Sequence, residues 1–300
     1  MNASDTDEPC YLCGERELTH KAAVSGLSLV ECRNCKIIYV PAGQITRELL
    51  EAFYSKAYYQ NDSLIGYAGY QREEAIHRKN AGRLLDYTLV GDLGVTRPRM
   101  LDVGCAFGYL LDEARKRGCD VTGVEMSDYA RNHAVSTLGI NVHSTLDSVV
   151  AEGAQFDVVF MLGTIEHLTD ARGMTDTINK VLKPGGQLVI TTIDTKGFFP
   201  LYALKPPEHT IYFSHSNLAL MLGYSGFSVQ KRKTYFTHYL LSDLFHRLSE
   251  FFRIGFFNRL SRLFEKRFPR MSALIPTNEM ILLARKERLP VAATMEKHSK

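Results

Sequence analysis

The 300-residue sequence has neither a long apolar run nor a large net charge. No apolar stretch reaches the roughly 18 residues that suggest a membrane span. The net charge is only +3, which is too small to argue for nucleic acid as a partner. The first ten residues are polar and acidic, unlike a secretory signal peptide. We therefore expect a cytoplasmic protein, and no internal repeat is apparent.

Cysteine is also scarce, and its placement is informative. The chain has six cysteines, of which four form two CxxC pairs, Cys10/Cys13 and Cys32/Cys35, with eighteen residues between the pairs. Two such pairs can supply the four thiolates of a tetrahedral zinc site, and four protein ligands leave no open position for catalysis. The spacing predicts a structural Zn²⁺ in a ribbon over residues 1–40. A catalytic zinc or a redox-active pair is the less favoured alternative.

Composition otherwise matches an ordinary globular protein, with 45% hydrophobic and 23% charged residues. The chain is organised around the stretch MLDVGCAFGYLL, Met100–Leu111. It reads as a buried strand ending near Asp102, a turn of small residues from Gly104 to Gly108, and the start of a helix. Glycines at such a turn let a ligand approach the backbone. An acid beside the turn would repel a pyrophosphate and attract an ammonium group.

A strand–helix alternation continues after this turn. VTGVEMS follows as the next strand and ends at Glu125, where an acid can accept hydrogen bonds from ribose hydroxyls. FDVVFML then predicts a fully buried strand, and KPGG makes the turn into the strand QLVITTI. The pattern predicts an α/β protein with a mostly parallel, doubly wound sheet.

Four pieces, LDVGCAFG, VTGVEMS, FDVVFMLGTIEH and VLKPGGQLVITT, occur in order across residues 99–286. Together they resemble the class I S-adenosylmethionine-dependent methyltransferases. The resemblance implies a seven-stranded sheet of strand order 3-2-1-4-5-7-6 and S-adenosylmethionine as the cofactor. Ala106 departs from the family, whose commonest pattern has glycine there.

The resemblance also implies a set of cofactor-binding residues. Asp102 would reach the cofactor's amino group, Glu125 the ribose hydroxyls, and Met126 the adenine. Thr145 and Leu146 would line the adenine pocket, while the strand end at Leu162 and Gly163 would lie beside the transferable methyl. Ordinary strand-end geometry is the alternative for each. The cofactor-binding residues are predicted to be Asp102, Gly104, Gly108, Glu125, Met126, Leu146 and Leu162.

Two Glu-His pairs are candidates for catalysis. Glu166 and His167 follow the fourth core strand, and Glu208 and His209 open the sequence EHTIYFS, called here the EH segment (residues 208–214). The EH segment follows the fifth core strand, where this fold places substrate contacts. A histidine that titrates near neutrality suits a general base. We predict His209 as the base, His167 as the reserve, and Glu208 or Glu166 as the residue that orients it; a purely structural role for either histidine is the alternative.

A zinc ribbon ahead of such a core is similar to the bacterial zinc-binding sugar methyltransferases, which include C-methyltransferases acting on nucleotide-linked deoxysugars. In that subgroup a histidine matching His209 is the proposed base. The chain departs from the subgroup at Pro206, where a tyrosine is usual, and it shows no counterpart of the subgroup's large additional C-terminal domain. The resemblance implies methyl transfer to a nucleotide sugar, a saccharide or a lipid-linked intermediate, with C- and O-methylation both open. A zinc-ribbon RNA methyltransferase and a non-catalytic S-adenosylmethionine-binding protein are the alternatives.

Outside the ribbon and the core, three segments carry further predictions. Residues 41–98 predict a linker or lid that is rich in tyrosine, and residues 287–300 a disordered tail. Residues 237–276 interrupt the core as an insertion. Within residues 241–270 apolar side chains recur at helical spacing among seven Lys/Arg and three Asp/Glu. A basic amphipathic helix pair suits a membrane surface or a partner, although packing on its own chain is the favoured reading.

Overall fold

A computed structural model describes residues 8–46, 70, 73–88, 93–197 and 204–287. Most of the predicted tyrosine-rich linker lies outside these residues, as does the predicted tail after residue 287. The strands are β1 (Leu18–Val24), β2 (Leu27–Cys32), β3 (Ile38–Tyr39), β4 (Arg99–Val103), β5 (Asp120–Val124), β6 (Asn141–His143), β7 (Phe156–Leu162), β8 (Leu182–Ile193), β9 (Ile211–Tyr212), β10 (Phe227–Leu240) and β11 (Ser272–Lys286). The α-helices are α1 (Glu74–Thr88), α2 (Tyr109–Lys116), α3 (Asp128–Leu138), α4 (Leu146–Ala151), α5 (Ala171–Val181), α6 (His215–Tyr224), α7 (Leu241–Phe252) and α8 (Gly255–Arg267).

Seven of the described strands form one central sheet in the order β10-β11-β8-β7-β4-β5-β6. The strands β4 to β8 pair in parallel, and β11 inserts antiparallel between β8 and β10. The predicted strand order is therefore confirmed. The central strand β7 is buried along almost its whole length, as expected for a strand with helices on both faces of its sheet.

Apolar side chains pack on both faces of this sheet. On one face, Leu84 and Leu85 of α1 lie in a cluster with Leu111 of α2. On the other, Ile178 of α5 and Leu218 of α6 belong to a second cluster, which also includes Cys10 and Cys32 of the predicted ribbon. The two clusters fix the sheet between helical layers and leave the carboxyl ends of its strands available for a site.

A second, four-stranded sheet has the order β1-β2-β3-β9. Its first three strands belong to the predicted ribbon, whereas β9 lies within the EH segment. Ile38 pairs with Tyr212 and Tyr39 with Ile211, antiparallel. Val40 also donates its backbone N–H to the carbonyl of Thr210, at 2.9 Å. The ribbon is thus hydrogen-bonded directly to the EH segment, which sequence patterns did not predict.

The insertion is narrower in its helical part than its predicted bounds of 237–276. Strands β10 and β11 continue to pair as far as Leu240 and Ser272. The continuation has a physical reason, because β-branched and aromatic residues such as Thr237 and Tyr239 favour strands. Only α7, α8 and the turn between them, residues 241–267, form the helical hairpin.

Replacing the glycine in the turn after β4 should destabilise the protein more than replacing a comparable glycine elsewhere. Gly104 and Gly118 both have left-handed backbone angles, φ +82° and +88°, but a Cβ on Gly104 would lie 2.4 Å from Thr164 Oγ1, whereas one on Gly118 would meet nothing within 4 Å. Gly118→Ala should cost about 1–2 kcal/mol of unfolding free energy through backbone strain. Gly104→Ala should cost roughly 1–3 kcal/mol more because of the clash. Denaturant titration of the two variants measures the difference, and equal losses would contradict it.

Candidate active site

The turn between β4 and α2 has an unusual backbone path. Gly104, Ala106 and Gly108 have φ angles of 82°, 46° and 81°. The N–H groups of Gly104 and Cys105 both donate to the carbonyl of Val124, at 2.8 and 3.0 Å, and so fasten the turn to the end of β5. Ala106 adopts a left-handed conformation that costs a residue with a Cβ about 1–2 kcal/mol. Something in the structure must therefore hold it there.

Glu125 is that constraint. Its carboxylate accepts hydrogen bonds from the backbone N–H of Ala106, at 2.9 Å, and from that of Ser127, at 2.7 Å. Burial raises the pKa of Glu125, while the two N–H groups oppose the rise. The predicted ribose-binding acid thus also positions the glycine turn, a role that sequence reasoning missed. Its contact with ribose stays a prediction.

Asp102, at the end of β4, is 4% exposed. Its Oδ1 atom is buried and has no hydrogen-bond partner among the described residues. Burial, and next the nearby carboxylate of Glu125, raise the pKa of Asp102 to about 8. Burying a polar group without a partner costs free energy. A cationic ligand group beside Asp102 would remove that cost, so the residue fits the amino group of S-adenosylmethionine.

The remaining predicted cofactor residues have different surroundings. Met126 is 74% exposed, as an apolar side chain would be when its partner is a ligand. Leu146 is buried in the same apolar cluster as Val124 and Val149, and Thr145 caps α4 by accepting a hydrogen bond from the Ser148 N–H. The adenine contacts of Met126 and Leu146 stay predictions.

A cavity of about 370 Å³ opens at the carboxyl ends of β7 and β8, at Leu162, Gly163 and Thr191. Its far wall comes from β10, β11 and the first helix of the helical hairpin, which contributes Arg247. Aromatic rings from four different elements or segments contribute to the lining of the cavity. These rings belong to Tyr70, His77, Tyr109, Tyr235 and Tyr239.

Tyr70 lies in the predicted tyrosine-rich linker or lid. Its ring stacks on His77 at a centroid distance of 3.8 Å and on Phe107, in the glycine turn, at 5.2 Å. Burial, and next the carboxyl of Asp102, raise the pKa of Tyr70. Burial lowers the pKa of His77 to about 4, so this imidazole is neutral at physiological pH. The aromatic stack connects the glycine turn to the cavity.

The two predicted catalytic pairs lie together behind the end of β7. The rings of His167 and His209 are 4.9 Å apart, and Thr210 donates its N–H to the carbonyl of Glu166 at 2.8 Å. His167 Nδ1 donates to the carbonyl of Glu208 at 2.6 Å, which fixes the ring and requires a proton on Nδ1. Burial lowers the pKa of His167. Through these contacts His167 can hold the EH segment in position.

His209 itself is 5% exposed and is not among the described residues that line the cavity. Burial raises the pKa of the neighbouring Glu166 to about 7. The Oε1 atom of Glu166 would lie 3.9 Å from a Cβ placed on Gly163, so the Glu-His cluster and the cavity meet near that glycine. The structure thus brings the four candidate residues into one cluster, and their roles in catalysis stay predictions.

The four ribbon cysteines converge, with all four sulfurs within 4.8 Å of one another. The Cys10–Cys35 and Cys13–Cys32 sulfur pairs are 3.7 and 3.5 Å apart. A tetrahedral site with Zn–S bonds of about 2.3 Å has edges of roughly 3.8 Å, so the donor set fits zinc. After each pair a left-handed residue, Gly14 or Lys36, returns its N–H to the carbonyl of the first cysteine.

The methyltransferase domain family matches residues 68–232 of the chain. The chain therefore belongs to that family, and its sheet order is the one found in class I S-adenosylmethionine-dependent methyltransferases, as the sequence predicted.

Among curated relatives, the ubiquinone biosynthesis O-methyltransferase of Klebsiella pneumoniae is 32% identical over 144 residues, which are 45% of this chain and 59% of that protein. The protein of the same name from Coxiella burnetii is 35% identical over 116 residues, 37% of this chain and 50% of that protein. The chain thus spans between half and three fifths of the length of these relatives.

Solved structures agree on the fold. The magnesium protoporphyrin IX methyltransferase of Synechocystis, with bound SAH, matches with a TM-score of 0.50 at 15% identity, over 81% of this chain and all of that one. A protein from Bacillus halodurans whose structure was solved as that of a putative methyltransferase also has a TM-score of 0.50 at 15% identity, over 70% of this chain and all of that one. At these identities the likeness concerns the fold alone. The resemblance to sugar methyltransferases stays a prediction.

Because β3 pairs with β9, the predicted zinc site in the ribbon can be tested by measuring hydrogen exchange in the EH segment. We expect one zinc per chain, and chelation should raise amide hydrogen exchange in residues 36–46 and 207–214, because the metal holds the ribbon that pairs with β9. Exchange in β4 and the glycine turn should stay unchanged and serves as the internal control. Zinc removal without faster exchange in the two segments would contradict the prediction.

Proposed function

We propose that this protein transfers a methyl group from S-adenosylmethionine to a hydroxyl oxygen of a small-molecule acceptor. The observation that carries the proposal is the buried, unpartnered carboxyl of Asp102 beside a left-handed turn. A cationic amino acid group satisfies that carboxyl, whereas a pyrophosphate would not. The O-methyltransferase relatives favour oxygen over carbon or nitrogen as the accepting atom.

Four residues would hold the cofactor in this proposal. Asp102 binds its ammonium group, Glu125 its ribose hydroxyls, and Met126 packs on its adenine, while Gly104 keeps the turn open. The cofactor supplies a methyl group on a positively charged sulfur, which already carries a good leaving group. The remaining work of the protein is to align the acceptor and to remove one proton.

The cavity at Leu162 and Gly163 is the proposed acceptor site. Its volume of about 370 Å³ and its aromatic walls suit a ring compound, because ring faces pack well on Tyr109 and Tyr235. A phenolic ring and a sugar ring both meet this description, so the saccharide and lipid-linked acceptors implied by the sequence remain within the proposal. Incubating the protein with S-adenosylmethionine and a panel of phenols, catechols and saccharides, followed by mass spectrometry, identifies which class gains one CH₂.

His209 is the proposed general base. It would take the proton of the acceptor hydroxyl as the oxygen attacks the methyl carbon. The ring of His209 lies against His167, whose Nδ1 donates to the carbonyl of Glu208, and this cluster adjoins the cavity at Gly163. Because His209 is not among the described residues that line the cavity, the proton would reach it where the cluster meets Gly163. In this arrangement His167 and Glu208 position the EH segment.

We expect His209→Ala to lower kcat by about 10²–10⁴-fold, the usual contribution of a positioned base. Its affinity for S-adenosylmethionine should be unchanged, because the cofactor residues are elsewhere. His20→Ala, at an exposed position on β1, is the matched control and should keep wild-type turnover. Near-wild-type kcat in His209→Ala would remove His209 from this role.

Cofactor binding should also release a proton. At pH 7 Asp102, with a pKa of about 8, is mostly protonated in the free protein. A bound ammonium group favours the ionised form of Asp102, so binding should release roughly one proton at pH 7. Calorimetry in two buffers of different ionisation enthalpy measures this number.

Asp102→Asn should bind S-adenosylmethionine at least tenfold more weakly and abolish the release. Asp128→Asn, a change at an exposed carboxyl that pairs with Arg131, should retain both affinity and proton release. Equal proton release in wild type and Asp102→Asn would show that another group titrates.

A further inference from the structure

The helical hairpin leaves apolar side chains uncovered. Its two helices pack mainly on each other, with the rings of Phe245 and Phe264 5.1 Å apart, and α7 also contacts β10. At the tip, however, Phe252, Ile254 and Phe256 are 53%, 48% and 61% exposed. Three large apolar side chains within five residues are unusual on a surface that only faces water.

More uncovered apolar surface lies towards and beyond the end of α8. Leu263, Phe268 and Met271 are each about half exposed. Self-packing, the favoured sequence prediction, therefore accounts for only part of the apolar surface of this segment. In the described part of the chain, no helix is both long and apolar enough to cross a bilayer.

Positive charge is concentrated on the same segment. Residues 241–270 carry seven Lys/Arg and three Asp/Glu, an excess of four, whereas the whole chain has an excess of only three. Arg253 lies in the exposed tip itself, and Arg259, Arg262, Lys266, Arg267 and Arg270 follow on exposed positions. The positive balance of the whole protein thus comes from this segment.

We propose that the helical hairpin binds the surface of an anionic phospholipid bilayer. In this arrangement Phe252, Ile254 and Phe256 enter the boundary between headgroups and acyl chains, and the surrounding arginines contact the headgroups. Charge argues for this occupant over a second copy of the chain, because a self-complementary contact would place these arginines against one another. The proposal goes beyond methyl transfer and does not depend on it.

Bilayer binding would also orient the cavity. Tyr239 and Leu240 at the base of the hairpin, and Arg247 within α7, belong to the cavity wall. A hairpin docked on lipid would hold that wall near the membrane surface.

Vesicle co-sedimentation tests the proposal with the full-length protein. Wild type should partition onto phosphatidylcholine vesicles containing 30% phosphatidylserine, should bind pure phosphatidylcholine vesicles at least tenfold more weakly, and should dissociate as salt rises. The triple variant Phe252→Ser/Ile254→Ser/Phe256→Ser should lose at least tenfold in partitioning, because it removes the apolar contribution. Arg259→Glu/Arg262→Glu should lose binding to the anionic vesicles selectively.

A matched control removes exposed apolar side chains elsewhere. Val95, Val135 and Tyr224 are 44%, 46% and 49% exposed, and Val95→Ser/Val135→Ser/Tyr224→Ser should bind vesicles like wild type. Circular dichroism and cofactor calorimetry confirm that each variant is folded.

Three outcomes would overturn the proposal. The first is an absence of wild-type binding to anionic vesicles at low salt. The second is equal partitioning of the triple variant and wild type. The third is a wild-type dimer in sedimentation velocity that the triple variant converts to monomer without any vesicle binding, which would assign the hairpin to a second copy of the chain.

Discussion

The candidate site depends on the carboxylate of Glu125. It accepts an N–H from Ala106 in the turn after β4 and another from Ser127 at the start of α3. One buried side chain thereby links the ends of two neighbouring strands and holds an alanine in a left-handed conformation. The arrangement places a second, unpaired carboxyl, that of Asp102, beside the first. Two acids buried so close together are costly, and a positive ligand group beside them would remove that cost.

Much of the core could be predicted from sequence because its signals are local. The buried run of β7, the glycine turn and the acids at strand ends each follow from a short stretch, and the family resemblance supplied the strand order. The cysteine spacing likewise predicted sulfurs that converge.

The features that escaped prediction depend on contacts between distant residues. The bond between Glu125 and the Ala106 N–H, the stack of Tyr70 on Phe107, and the pairing of β3 with β9 leave no periodic trace in the chain. The predicted bounds of the insertion were also too wide. Thr237 and Tyr239 are residue types that favour a strand, but the part of β10 before them is exposed, so the sequence does not show that the strand continues.

The pairing of Ile38 with Tyr212 also constrains the order in which the protein is built. The cysteine-bearing segment precedes the EH segment in the chain, so β3 can pair with β2 at once but acquires its second partner, β9, only after β4 to β8 have been synthesised. Until then β3 presents open backbone groups, the kind of edge that invites wrong pairing. A metal held by the four cysteines would keep this segment compact until the EH segment is made and completes its sheet.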